Sequence, residues 1–305
     1  MIRINPVYRK ELKQTARTKK VMVLLMIFNS LLAVFGLFSF YFTFHGVNHL
    51  DKTVRYSDIL LIYAIITGIE FILILFITPG ITAGSIAGER EKQTLDILLS
   101  TTMTPCSIIR GKLIASINLL LMLSFSSLPI IAIVFSFGGI TVKEILRLIF
   151  FLCVTAIYIG SIGIFFSSIC KRSTIATVCT YATLLVLTIG LTMLLMGNQL
   201  MEFVSSTRIS NYIKYNRSLE AGNSFLLLLI NPIFTFTSLL KDQVGFNFLG
   251  VGTWRTQHQV TYFIFQHWFA VSIAVQITIS ILLNFISARA IQPGNHIKKR
   301  RKGVE

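Results

Sequence analysis

Charge is scarce in this chain. Asp, Glu, Lys and Arg make up 13% of its 305 residues, about half the share of an average soluble protein, while 54% are hydrophobic. The first figure excludes an ordinary soluble domain and the second a disordered one. Acids are scarcer than bases, 12 against 28, for a formal net charge of +16. The bases are bunched between long uncharged gaps, so the excess does not describe a soluble nucleic-acid binder and must be read by where it falls. Cysteine is sparse too. Cys106, Cys153, Cys170 and Cys179 show neither C-x-x-C spacing nor a secreted framework, so no disulfide or zinc argument starts from them. A G-x-x-x-x-G-K-[ST] loop is missing: Gly111-Lys112 is followed by Leu113 and lacks the upstream glycine, which leaves no phosphate cradle. Internal repeats, low-complexity linkers and a soluble segment of domain size are also absent, so residues 1–305 read as a single membrane domain.

What the chain has instead is long apolar runs. About 20 apolar residues in a helix cross roughly 30 Å of hydrocarbon, and six runs qualify: residues 21–44, 59–82, 113–137, 148–169, 174–196 and 261–286. The first is too long for a signal-peptide core and ends in Tyr-Phe-Thr-Phe without a small-residue cleavage pattern, so it is expected to stay as an anchor. Even parity puts both termini on one side. With residues 1–20, 83–112, 170–173 and 287–305 in the cytoplasm, 19 of the 28 Lys and Arg lie inside, and the positive-inside rule selects that orientation.

Residues 224–240 test this topology. The stretch is apolar but short, and Asn231-Pro232 interrupts it. A seventh span there would place Lys298, Lys299, Arg300, Arg301 and Lys302 outside, so we read it as a re-entrant or interfacial helix within an external region, 197–260. At the N-terminus, Asn5-Pro6 suits a cap and first-turn proline, and Ile4, Tyr8 and Leu12 recur every four residues among six bases. That pattern predicts an amphipathic helix over residues 1–20, lying on the inner leaflet and drawn to anionic lipid. The cluster Lys298–Lys302 reads as a solvated, basic tail. The expected fold is therefore all-α and polytopic: six transmembrane helices, an N-terminal amphipathic helix and an external re-entrant helix before the last span.

The segment between the second and third runs carries the one specific motif. Residues 86–101 read IAGEREKQTLDILLST, with Ile86, Glu89, Arg90, Glu91, Thr94, Leu95, Leu98, Leu99 and Thr101 followed by Pro105, Ile108, Gly111 and Lys112. Helical periodicity continues past the membrane surface with mixed charges at neighbouring turns. The hydroxyl residues from Ser100 to Thr104 and Pro105 fit a break and the cap of a second short helix, and Gly111 permits a bend at the membrane entry. A compact helical elbow over 83–112 is expected.

Those thirteen positions resemble, in order and without a gap, the pattern I-x-x-E-R-E-x-G-T-L-E-x-L-L-x-T-P-L-S-P-x-x-I-x-x-G-K of type-2 ATP-binding-cassette transporter permeases. Asp96 replaces an acid, Gln93 stands for the family glycine, Thr102 for the first proline and Met103-Thr104 for Leu-Ser. The opening Asn5, Pro6, Glu11, Leu12 and the later Asn231-Pro232 with Leu239-Leu240 are similar to the same family. The resemblance implies that the elbow docks on a separate cytoplasmic ATPase, with Glu89, Arg90, Glu91 and Thr94 setting register and Leu95, Leu98 and Leu99 as apolar anchor. It implies a multi-pass subunit of the bacterial inner or plasma membrane, both termini cytoplasmic, paired with a second permease copy or homologue and surrounded by lipid. Export is the implied direction. ATP and Mg would be bound by the partner, so the chain itself is expected to need no cofactor and to be no enzyme. A non-transporting subunit that transmits force or a signal from such an ATPase is the alternative.

Two other groups deserve a reading. Glu70 lies about 16 Å below the outer end of the second run, where an ionisable group is a pathway candidate; with no base inside any run, a hydrogen-bonded glutamate packed on another span competes with that role. His45 and His49, with His258 or His267, have the residue type for a metal, but interfacial histidines beside Tyr41 and Trp268 are ordinary and no metal site is expected. No Ser, Asp or His set is recognisable as catalytic.

Overall fold

The computed structural model describes residues 6–45, 56–100, 103–137, 140–193, 223–245, 263, 264 and 266–292. Regular structure among them is helical, without strands. Uncharged runs of this length leave the backbone no partner but itself in hydrocarbon, and a helix satisfies every internal N–H and C=O. The helices are α1 (Pro6–Arg17), α2 (Lys19–His45), α3 (Tyr56–Thr82), α4 (Ala87–Glu91), α5 (Leu95–Leu99), α6 (Pro105–Ser136), α7 (Val142–Ile169), α8 (Ser173–Leu185), α9 (Pro232–Val244) and α10 (Trp268–Ile291). Six helical stretches are long and apolar enough to cross a membrane: Lys19–Thr43, Ser57–Glu91, Pro105–Ser136, Val142–Ile169, Ser173–Met193 and Trp268–Ile291. They correspond to the six apolar runs, and the protein is an all-α, multi-pass membrane protein.

The differences lie at the ends, where local chemistry outweighs hydropathy. Thr104 caps α6 by accepting from the Ser107 N–H, and Pro105 opens the first turn. No separate short helix follows; α6 runs unbroken through a buried Gly111 into the span. Likewise α7 starts six residues before its uncharged run. Thr141 caps it, and the Glu144 carboxylate accepts from the Thr141 N–H at 2.6 Å in a capping box. The N-terminal helix forms as α1, with Val7 buried and Tyr8 and Leu12 half-buried. Asn5, most of the region 197–260 and the basic tail lie outside the described residues.

The chain forms two compact units, one of residues 1–180 with 279–305, the other of residues 181–278. In the first, α3 packs on α2, α6 and α7, and α6 also packs on α1, α2 and α7. The approach of α7 to the end of α3 depends on Gly163: a Cβ there would lie 2.1 Å from Thr82 Oγ1 and 3.3 Å from the Ala83 nitrogen. Small residues allow such close backbone contact between helices in lipid.

In the second unit, a 3-10 helix (Asn223–Ile230) meets α9 at Asn231. The Asn231 side chain caps α9 by accepting from Ile233 N–H at 2.9 Å, and its amide donates to the Thr188 carbonyl at 3.0 Å and Thr192 Oγ1 at 3.1 Å. Thr188 sits in a π turn, Val186–Gly190, that continues α8. Ser272 donates to the Leu229 carbonyl at 2.7 Å, and Gln276 donates to Thr235 Oγ1 at 2.9 Å. The break read from Asn231-Pro232 is thus also the polar hub of this unit. Gly245, at φ 78°, ends α9 in the left-handed conformation that glycine adopts without a Cβ clash.

Candidate functional site

Between α3 and α6 the chain turns twice, making an elbow of α4 and α5. The first free N–H groups at α4, those of Ile86 and Ala87, both donate to Ser167 Oγ on α7 at 2.9 Å. Its apolar side is a cluster of Ile86, Leu95, Ile109, Leu113, Ile164, Ala288 and Ile291, with Leu99 packed against it. The turn between α4 and α5 puts Gln93 at φ 57°. This is the position where the family pattern has glycine, and the left-handed backbone explains that preference.

Three consecutive charged residues of α4 each hold a different element. Glu89 Oε1 accepts from Lys112 Nζ of α6 at 2.8 Å, and the same ammonium donates to Glu11 Oε1 of α1 at 3.1 Å. The Lys112 side chain is only 4% exposed, so its charge is held by these two carboxylates and not by water. Arg90 donates from Nη1 to the Cys170 carbonyl at 2.7 Å and from Nη2 to the Ser168 carbonyl at 2.9 Å. These belong to the last carbonyls of α7, which lack intrahelical donors and carry the negative end of the helix dipole. Glu91 accepts from the Ser173 N–H at 2.9 Å and from Ser173 Oγ at 2.7 Å, at the positive start of α8. Between those two helix ends lies Cys170, whose thiol is pushed up by burial and by the neighbouring Cys179.

Of the residues expected to meet a partner, Leu95 is buried and Glu91 and Thr94 are exposed. Glu89 and Arg90 are half-buried, and Leu95, at 5% exposure, belongs to the core. Leu98 and Leu99 are half-buried, while Thr94 is exposed and its hydroxyl donates to the Glu89 carbonyl at 3.2 Å. The outward face of α5 is Asp96 and Ile97, and Ile97 is 69% exposed. The sequence did not reveal that Ile97 is exposed or that Lys112 pairs with Glu11 and Glu89. The signal for Lys112 was its place as the last matched position of the motif.

Glu70 is buried in α3 at 1% exposure, with Ser127 Oγ of α6 donating to its Oε1 at 2.8 Å. Its other oxygen has no hydrogen-bond partner among the described residues. The residue thus faces another span inside the helix packing. Of the histidines, His267 stacks on Phe263 with ring centroids 4.6 Å apart, and His49 and His258 lie outside the described residues. No three His, Cys, Asp or Glu come together as a metal site among the described residues.

Six spanning helices are joined to an elbow whose charged residues contact α1, α6, the end of α7 and the start of α8. The chain matches the model of the ABC-2 family transporter proteins over residues 5–287, and it belongs to that family. It is a membrane subunit of an ABC transporter, a class of subunit that is not itself catalytic. Among curated proteins, no sequence matches it significantly.

Proposed function

We propose that this chain forms half of the pathway of an ATP-driven exporter at the cell membrane, with both termini cytoplasmic. A second copy or a homologue would supply the other half. A separate cytoplasmic ABC ATPase, holding ATP and Mg, would dock on residues 83–112. The observation that carries this reading is the wiring of α4: Glu89, Arg90 and Glu91 grip α1 with α6, the end of α7 and the start of α8. A push on the outward face of α5 would reach all of them at once. Docking then falls to Asp96, Ile97 and Thr94, with Leu98 and Leu99 at the margin, while Glu89, Arg90, Glu91 and Leu95 transmit. Transport would follow from different contacts of the spans in two states, and the segment around α9 would gate the outer end.

The test is co-expression with a candidate ABC ATPase from the same genome. Ile97→Asp is expected to abolish co-purification while the permease still inserts and elutes as a folded species. Undiminished co-purification and unchanged ATP turnover would overturn the docking assignment. Intact coupling with no movement of any cargo would favour the force- or signal-transmitting subunit instead.

A further inference from the structure

A cavity of about 520 Å³ opens beside the elbow, between the junction of α1 with α2, the end of α3, α4 and α6. That is the size range of small-molecule sites, about 300–1,000 Å³. We propose that it holds the headgroup of an aminophospholipid, with the phosphate between Lys20 and Lys92 and the ammonium on Glu89.

The polar end supplies both charges. Lys20 and Lys92 line the cavity, their side chains are exposed, and neither has an ion-pair partner among the described residues. Lys112, also on the wall, is already matched by Glu11 and Glu89, so the two outer lysines are the cations free to take a phosphate. The opposite charge is equally unfinished. Glu89 spends Oε1 on Lys112, but its Oε2 is buried without a hydrogen-bond partner, as is Ser85 Oγ on the same wall. An unpaired buried carboxylate oxygen is costly, and a ligand N–H removes the cost.

The remaining wall is apolar: Val21 and Leu24 on α2, Ile81 on α3 and Leu119 on α6. Leu119 is seven residues along α6 from Lys112, about 10 Å toward the middle of the span. A ligand therefore meets charge at the elbow and hydrocarbon farther in, the order of groups along a phospholipid. An ethanolamine headgroup satisfies the wall fully. A choline group has no N–H to give Glu89, and a glycerol headgroup offers hydroxyl donors but no positive charge to match the carboxylate. The site needs the elbow at a membrane surface and does not depend on ATPase docking, so it stands or falls separately from the proposed function.

Native mass spectrometry of the full-length chain in detergent tests this, with phosphatidylethanolamine, phosphatidylcholine, phosphatidylglycerol and soluble glycerophosphoethanolamine as titrants. Phosphatidylethanolamine is expected to bind about tenfold more tightly than each of the others, and the double variant Lys20→Gln, Lys92→Gln to lose about that factor. Lys13→Gln, which removes a charge from α1 outside the cavity, is expected to bind as the wild type does. Each single lysine variant, measured alone, provides the same readout if the double variant aggregates. Equal binding of the choline or glycerol lipid, equally tight binding of the soluble headgroup, or undiminished binding by the lysine variants would overturn the assignment.

Discussion

Lys112 Nζ lies 2.8 Å from Glu89 Oε1 and joins α6 to the elbow at a point almost closed to water. Because Glu11 shares the same ammonium, this one side chain fixes α1, α4 and α6 together. A buried charge of this kind adds little net stability over an apolar replacement of the whole set, yet removing one member leaves the others uncompensated.

Lys112→Met is accordingly expected to destabilise the detergent-purified protein by about 3 kcal/mol, since two carboxylates would then face each other. Adding Glu11→Gln and Glu89→Gln should restore most of the loss. Thermal unfolding of the single and triple variants measures this, and equal melting temperatures for the two would contradict the pairing.

Gln93→Gly is expected to stabilise the elbow by up to about 1 kcal/mol, the left-handed penalty of about 1–2 kcal/mol being partly offset by glycine's entropy. Gln93→Val should do the reverse, because a β-branched side chain tolerates φ 57° poorly. Hydrogen exchange of the amides of α4 and α5 reports both directions.

Gly163→Ala places a methyl group 3.0 Å from Thr82 Cβ and 3.3 Å from backbone. Overpacking of that kind costs about 1–3 kcal/mol. The melting temperature should fall, and Thr82→Ala, which removes the hydroxyl that the new methyl group would meet, should recover part of it. A Gly163→Ala protein as stable as the wild type would refute the close approach of α3 and α7.

Glu70→Gln keeps an oxygen to accept from Ser127, so wild-type transport and a stability within about 1 kcal/mol are expected. Glu70→Ala should cost about 2 kcal/mol through the space it leaves. Transport slowed tenfold in the glutamine variant, with an unchanged melting temperature, would instead assign the carboxyl to the pathway.

The spans were legible because bilayer thickness imposes a length that hydropathy reveals directly, and the cap at Thr104 and break at Asn231 because hydroxyl, amide and proline chemistry acts over one turn. The orientation of the elbow was not. Glu11 and Lys112 are 101 positions apart, and nothing local in either announces the other. Leu95 and Ile97 are two positions apart on a helix of five residues, too short for periodicity to say which faces the core. A run of Glu-Arg-Glu reads as a solvated docking face until one sees that carbonyls at the end of α7 and the free amide of α8 lie within its reach. The segment after Thr104 was read as a separate helix because proline and glycine punctuate it, whereas α6 runs unbroken from Pro105 with Gly111 buried within it.

Only Lys171 and Arg172 separate Cys170, whose carbonyl Arg90 holds, from Ser173, which Glu91 holds. Adjacent residues of one short helix thus rivet both sides of this short connection. Separating the start of the fifth crossing from the end of the fourth therefore first requires breaking the contacts of Arg90 or Glu91.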